Sequence, residues 1–390
     1  MNEEIKVLMV GGRRCGKTSV LASIFQQMTH DDRLSNYLTI SDATVAEEKG
    51  GERKEGLNDK INELKQMLRQ KRHDNSSVFL VDKNPTNTYW DYKLRLSLPK
   101  KEESVCINFR DSAGEYFVKS STNSSSTEAY MRECDIFVVV VDTPYLMEAN
   151  DEVCDNVNRI DDITNFIKNN VNTADGKDAK MVIYVPIKCE KWYNENHIDA
   201  VNEKIKMAYS SQIDYLRGQK HMLVGIIPML TIGNIEFVEL KEAFVHINGH
   251  TGKETRCCKV GSKNVRMEDG TLVPLGEMDV VNEDAHAVVN NIKRPYSWYR
   301  VKNDHFAPVN CDQLPLRIIS FVLIKYKKLK KENATWIERF FDRNTLLKPL
   351  FEKYNNYLGR INPNELSDVV AALKKDNIWK NQGVDGIFFY

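Results

Sequence analysis

Short apolar runs alternate along the chain with longer stretches of helical periodicity. Ile5 to Val10 is a β-rich run ending in Gly11 and Gly12, and from Lys17 to Met28 the residues Val20, Leu21, Ile24, Phe25 and Met28 recur at helical spacing. The pattern predicts a strand, a glycine loop and a helix in succession. Further buried strands are predicted at Val105–Arg110, Ile136–Asp142, Met181–Val185 and Leu223–Leu230, with enough chain between them for helices. Such alternation implies an α/β fold on a mostly parallel sheet flanked by helices.

Three regions break this rhythm. Within the polar stretch Asp31 to Ser77, Leu57, Ile61, Leu64 and Leu68 predict an inserted amphipathic helix. Its apolar stripe either covers the domain's own flank or serves as a partner-binding face. Ala243 to Val301 is rich in Gly, Lys, Val and Thr, and Val265 to Val273 reads as two strands about a Glu-Asp-Gly turn, so a β-rich insertion is expected. Leu314–Leu329, Ala334–Tyr354 and Pro363–Lys374 return to helical spacing. The expected organisation is a core over residues 1–240 with a helical insertion at about 31–77. A β-rich insertion over 241–311, a closing core helix over 312–330 and a helical C-terminal extension over 331–390 complete it. The one low-complexity stretch, SSTNSSST at Ser120–Thr127, is expected to be mobile.

Composition narrows the function classes. At 390 residues the chain is two to three times a domain of about 100–150 residues. Lys+Arg and Asp+Glu both number 55, so no global field draws the protein to nucleic acid or anionic membrane, and neither is an expected partner. The longest apolar run, Ile136–Val141, falls far short of the ~20 residues of a membrane helix. Met1–Val10 has no signal-peptide pattern, which makes a cytoplasmic address the expectation. Eight cysteines without a CxxC pair read as free thiols. His246, His250, Cys257 and Cys258 lie close together, but at spacings that match no standard zinc finger.

The chemistry concentrates at strand ends. Gly11-Gly-Arg-Arg-Cys-Gly-Lys-Thr18 fits GxxxxGK[ST] between a predicted strand and a predicted helix. Backbone N–H groups of Gly11, Gly12, Arg13, Arg14, Cys15, Gly16, Lys17, Thr18 and Ser19 are candidates to cradle phosphates. Lys17 would neutralise the β and γ oxygens, Thr18 would ligate Mg2+, and the helix N-terminus adds its positive end. Asp111-Ser-Ala-Gly-Glu115 follows the strand Val105–Arg110, where Asp111 can hold a magnesium-bound water and the Gly114 N–H can sense a γ-phosphate.

GGRRCGKT followed by DSAGE resembles the P-loop and second switch of Ras-like GTPases of the translation-factor (TRAFAC) class. The resemblance implies a P-loop GTPase-like fold, GTP/GDP as ligands and Mg2+ as cofactor. It also implies a first-switch threonine just before the second core strand. Asn84-Pro-Thr-Asn-Thr-Tyr89 occupies that place, with Thr86 the candidate third magnesium ligand and Thr88 its neighbour. The family's NKxD motif corresponds to Ile187-Lys-Cys-Glu190. Lys188 keeps the stem that stacks on the base, and Glu190 keeps a carboxylate for guanine N1–H and the 2-amino group. Ile187 replaces the asparagine that ties the base loop to the P-loop. Pro228-Met-Leu-Thr-Ile-Gly-Asn234 stands where the last base-contacting loop belongs, with Thr231 and Gly233 as candidates. The departures and insertions look most like the bacterial double-GTPase-like group, whose pre-helix segment His305–Pro315 resembles.

For hydrolysis, the resemblance puts Glu115 where many relatives carry a water-orienting glutamine, which implies slow turnover. Arg13 and Arg14 either reach the phosphates as an arginine finger in cis or point to solvent. The leading expectation is a GTP-hydrolysing switch that signals to a protein effector or a second copy of itself. The alternatives are a non-hydrolysing nucleotide-bound scaffold, an ATP-using P-loop protein and a small-molecule kinase. The last leaves DSAGE unexplained.

Overall fold

The computed structural model describes residues 4–30, 39–44, 48–49, 52–53, 56–72, 78–80, 89–97, 104–117, 124–171, 180–219, 222–247, 254–277, 281–282, 288–289, 292–293, 295–315, 317–318, 321 and 388–389. The first strand, β1 (Glu4–Gly11), leads through the glycine loop into α1 (Lys17–His30). Beyond them lie β2 (Thr39–Asp42), α2 (Leu57–Arg72), β3 (Phe79–Leu80), β4 (Trp90–Ser97) and β5 (Ser104–Asp111). Next come α3 (Ser124–Glu133), β6 (Ile136–Asp142), α4 (Thr143–Glu148), α5 (Asp151–Asn158) and α6 (Ile160–Asn170). β7 (Lys180–Ile187), α7 (Glu190–Asn194), α8 (Ile198–Ala208), α9 (Ser210–Gly218) and β8 (Met222–Ile226) end the run of alternating elements.

All of these strands except β3 make one sheet in the order β2-β4-β5-β1-β6-β7-β8, with Phe388–Phe389 adding an antiparallel pair at the β8 edge. β5, β1, β6, β7 and β8 run parallel, and β4 and β2 are antiparallel to their neighbours. Every residue of β6 and β7 is buried, as expected of parallel strands covered on both faces. β4 instead alternates buried with partly exposed positions, the period-2 pattern of a strand with one wetter face. β1 sits between β5 and β6, so the chain reverses its direction of travel across the sheet there. Ligands of open α/β sheets bind at such a reversal, beyond the carboxyl ends of the strands.

Three features settle or correct the sequence reading. The α2 stripe is covered: Leu57, Ile61, Leu64 and Leu68 are all buried in the core that α1 also lines. Burying four such side chains contributes ~6–12 kcal/mol gross, so this face belongs to the domain's flank and not to a partner. Against the expectation of a mobile serine-rich stretch, Ser124–Thr127 form the first turn of α3 and Thr127 is buried, while residues 120–123 lie outside the described residues. The strand predicted over Leu223–Leu230 stops at Ile226, after which Leu230 forms an isolated antiparallel bridge with Val309.

After β8 the chain leaves the central sheet. β9 (Ile235–Glu242) pairs with Pro295–Val301, which in turn pairs with β3. Phe244–Ile247, Glu254–Val260, Asn264–Met267, Leu272–Pro274 and Val281–Asn282 form a separate five-stranded sheet, with the predicted turn at Glu268–Gly270. Residues 302–313 return to the main core, where residues 313–315, 317–318 and 321 are helical. The helices expected at Ala334–Tyr354 and Pro363–Lys374 lie outside the described residues. No helix among the described residues is long and apolar enough to cross a membrane.

Candidate functional site

The carboxyl ends of β1, β5, β6, β7 and β8 lie along one rim of the sheet, and the candidate residues follow β1, β5, β7 and β8 there. The loop after β1 turns through two left-handed residues, Arg14 at φ 62° and Gly16 at φ 106°. Lys17 is buried and its Nζ donates to the carbonyls of Gly11 and Gly12 at 3.2 and 3.1 Å, so the loop wraps around its own lysine. Thr18 Oγ1 donates to Asp111 Oδ2 at 2.6 Å. Burial pushes the Asp111 carboxyl up, while the Lys17 charge and the Thr18 hydroxyl oppose that shift. A hydroxyl and a carboxylate converging beside a phosphate loop are hard oxygen donors of the kind Mg2+ takes.

The remaining P-loop candidates take distinct places. Arg13 is exposed, Arg14 and Ser19 are half-buried, and Cys15 is buried beneath the loop. Gly114 rests on the loop so closely that a β-carbon there would lie 2.5 Å from the Arg13 amide nitrogen. Only glycine permits this approach. Glu115 falls in the short 3-10 turn Gly114–Phe117, its side chain outside the described residues, as are Thr86 and Thr88 entirely.

Around Ile187-Lys-Cys-Glu190 the structure supplies ties that the motif alone does not contain. Ile187 packs on the phosphate loop, its Cδ1 2.9 Å from where a β-carbon on Gly16 would sit, so a van der Waals contact stands where the family's asparagine amide would be. Lys188, at φ 57°, donates from Nζ to Asp142 Oδ2 at 2.6 Å, and both groups are buried. Asp142 also exchanges backbone hydrogen bonds with the Asn158 side chain, donating its N–H at 2.7 Å and accepting at 3.4 Å. The neighbouring Val157 carbonyl abuts Gly12, 2.0 Å from where a β-carbon would be. An unbroken path of contacts thus runs from Lys188 through Asp142 and Asn158 to the phosphate loop.

Glu190 opens α7 and is buried, only 1% exposed. Its Oε1 accepts from the Gly233 N–H at 3.3 Å, while Oε2 is buried without a hydrogen-bond partner. Burial pushes this carboxyl above its ordinary range, against the backbone N–H groups around it. A buried carboxylate oxygen left open is costly unless a ligand donor completes it. Gly233 adopts φ 83° under the carbonyl of Ala307, 1.8 Å from where a β-carbon would sit. The segment before the final helix clamps this loop: the Ala307 N–H donates to Ile232 O at 3.2 Å and Asn234 Nδ2 to His305 O at 2.6 Å. From α1, the Ser23 hydroxyl lies 2.5 Å from the Thr231 carbonyl. Trp192 of α7 stacks on Phe237 of β9, their centroids 5.6 Å apart.

Asp142, Asn158 and Ser23 were missed in the sequence. A signal for the first existed, since a carboxylate ending six apolar residues must emerge at the functional rim. Of the zinc-like cluster, Cys257 and Cys258 are consecutive on one strand and both buried, so they face opposite sides. Among the described residues no three His, Cys, Asp or Glu side chains gather as a metal site.

Comparison with curated proteins gives no match. A family model described as Double-GTPase 2 matches residues 6–218, from β1 and its phosphate loop through β7 and Glu190 to the end of α9. With more than half of the sequence matched and the sheet order, strand-end loops and P-loop geometry in agreement, the chain belongs to the Double-GTPase 2 family of P-loop GTPases.

Proposed function

We propose that this GTP-binding P-loop protein is a Mg2+-dependent switch, which hydrolyses GTP to GDP and reports its nucleotide state to a protein effector or a second copy of itself. The observation that carries the reading is the 2.6 Å contact between Thr18 and Asp111, which joins phosphate loop and DSAGE at one point, with Gly114 seated on Arg13. On this reading the N–H groups from Gly12 to Ser19 cradle the phosphates. Lys17 exchanges its two loop carbonyls for β and γ oxygens. Thr18 and Thr86 would ligate the metal and Asp111 would hold one of its waters, and the metal when bound would neutralise charge on the phosphate oxygens. Gly114 N–H senses the γ-phosphate, Glu115 accepts a hydrogen bond from the attacking water, and exposed Arg13 supplies positive charge.

Guanine selection rests on Glu190. Its open Oε2 and its Gly233-held Oε1 form an acceptor pair for guanine N1–H and the 2-amino group, which adenine cannot match. Lys188 contributes its aliphatic stem, and Thr231 and Gly233 offer backbone groups. The nucleotide module on this reading comprises residues 1–240 and 312–330, with 241–311 and 331–390 as the parts that read or transmit its state.

The test is equilibrium binding of fluorescent GTP with Mg2+, competed by GDP and ATP, on the wild type and Glu190→Ala, together with single-turnover phosphate release. Competition by GDP but not ATP, lost in Glu190→Ala, supports guanine selection, and equal competition by ATP refutes it. Binding without phosphate release refutes hydrolysis and leaves a nucleotide-bound scaffold. Release unchanged in Arg13→Ala removes Arg13 from the mechanism.

A further inference from the structure

Arg110 is the residue before Asp111 and faces Asp91 directly across the β4–β5 ladder. Its guanidinium forms a two-pronged ion pair with that carboxylate, Nε to Oδ1 and a terminal nitrogen to Oδ2, both at 2.7 Å. The same group lies between two rings, its central carbon 4.4 Å from the Tyr89 centroid and 3.6 Å from that of Tyr130. A planar cation stacked on ring faces and locked in plane by a carboxylate is an arrangement that arginine makes and lysine does not.

The positions of the two rings give the cluster its meaning. Tyr89 is the last residue before β4, directly after the stretch that holds Thr86. Tyr130 lies on α3, the helix that follows DSAGE, and is buried. Successive strand residues point to opposite faces, so Arg110 and Asp111 project to opposite sides of the sheet. Arg110 therefore stays out of the nucleotide site, while its neighbour meets Thr18 there.

We propose that Arg110 is a positioning residue that couples the two nucleotide-sensing segments, by holding the end of the Thr86 segment and the helix after Gly114 on one guanidinium. This rests on the switch reading above. When the γ-phosphate draws in one segment, the Tyr89–Arg110–Tyr130 stack transmits the shift to the other. GDP, which engages the phosphate loop and the base side, does not require that coupling. Arg110→Lys keeps the charge but loses the fork and the stack, and is therefore the informative substitution.

The experiment measures GTP and GDP affinities and single-turnover hydrolysis for the wild type, Arg110→Lys, Tyr130→Leu and Tyr130→Phe in the full chain with Mg2+. The GTP-to-GDP affinity ratio and the hydrolysis rate should fall about five- to tenfold in Arg110→Lys and Tyr130→Leu, the low end of measured couplings between sites. GDP affinity should hold in both. Tyr130→Phe should match the wild type, because the Tyr130 hydroxyl has no hydrogen-bond partner. Trp90, buried and paired in register with Asp111, reports the same loss as a smaller difference in emission between the GTP and GDP states, with Trp90→Phe identifying its share. An Arg110→Lys variant with the wild-type ratio and rate overturns the coupling. So does an equal loss of GTP and GDP affinity, which marks a merely structural residue. A wild type that does not distinguish GTP from GDP overturns the switch reading itself, and the coupling with it.

Discussion

Replacing Asp142 tests whether the buried ion pair with Lys188 holds the base side to the phosphate loop. At 2.6 Å and an effective dielectric of about 20, the gross attraction is roughly 6 kcal/mol. Desolvation of both groups offsets much of it, and the informative quantity is the cost of removing one member of the pair. Asp142 is fully buried and Lys188 is 7% exposed, so Asp142→Asn removes the carboxylate that the buried ammonium meets at 2.6 Å. Removing one member of such a pair costs ~3–5 kcal/mol. That is a drop in melting temperature of order 10 °C for a domain of this size. Lys188→Met leaves the complementary charge and should cost a similar amount. The double variant removes both charges and should be less destabilised than the sum of the singles by about 2–3 kcal/mol, a coupling typical of groups in direct contact. Thermal unfolding of the nucleotide-free protein measures the cycle, and GDP affinity measured in parallel should fall in both singles. Additive losses, or an Asp142→Asn variant within 0.5 kcal/mol of wild type, would refute the claim that this pair is a structural tie.

Three further outcomes follow from the site. On the proposed reading Glu190 must be ionised to accept from guanine, and burial raises its pKa, so guanine affinity should decline on acidification at a pH above the ordinary glutamate range. The nucleotide-free protein should show the reverse trend in stability. Its native state holds the proton more tightly than the unfolded chain, so this group's contribution falls as pH rises through the raised pKa. Glu190→Gln should bind more weakly and lose the acid limb, and a limb that persists in it assigns the titration to another group. Gly233→Ala should destabilise by more than the ~1–2 kcal/mol of a left-handed alanine, because its β-carbon meets the Ala307 carbonyl. Gly261→Ala, at φ 65° in open space, should cost only that ~1–2 kcal/mol, and equal losses in the two would show that the clamp over the Gly233 loop is loose. All eight cysteines are buried, with the Cys134, Cys154 and Cys257 thiols pushed up to about 12, 11 and 11 by burial. A thiol-reactive dye should label them only on unfolding, and rapid labelling of the native protein would contradict that burial.

The amino-acid pattern alone specifies the parts whose physics is local. The spacing of Val20, Leu21, Ile24, Phe25 and Met28 made α1, the unbroken apolar run before Asp142 made a strand covered on both faces, and GGRRCGKT between strand and helix fixed the phosphate loop. In each case one stretch of chain carries both the pattern and its cause. The tertiary structure alone decided what depends on which stretches meet. The α2 stripe by its pattern fits a flank more readily than a partner, and only its burial in the core that α1 lines decides for the flank, because amphipathicity specifies a face and not its occupant. Ile187 in the motif alone marks a lost tie, while in the fold its methyl lies against Gly16 and its neighbour Lys188 meets Asp142, 46 residues earlier in the chain. A hydrogen bond or a close contact depends on distance in space, and the strand order that brings β6 between β1 and β7 is written in no single segment.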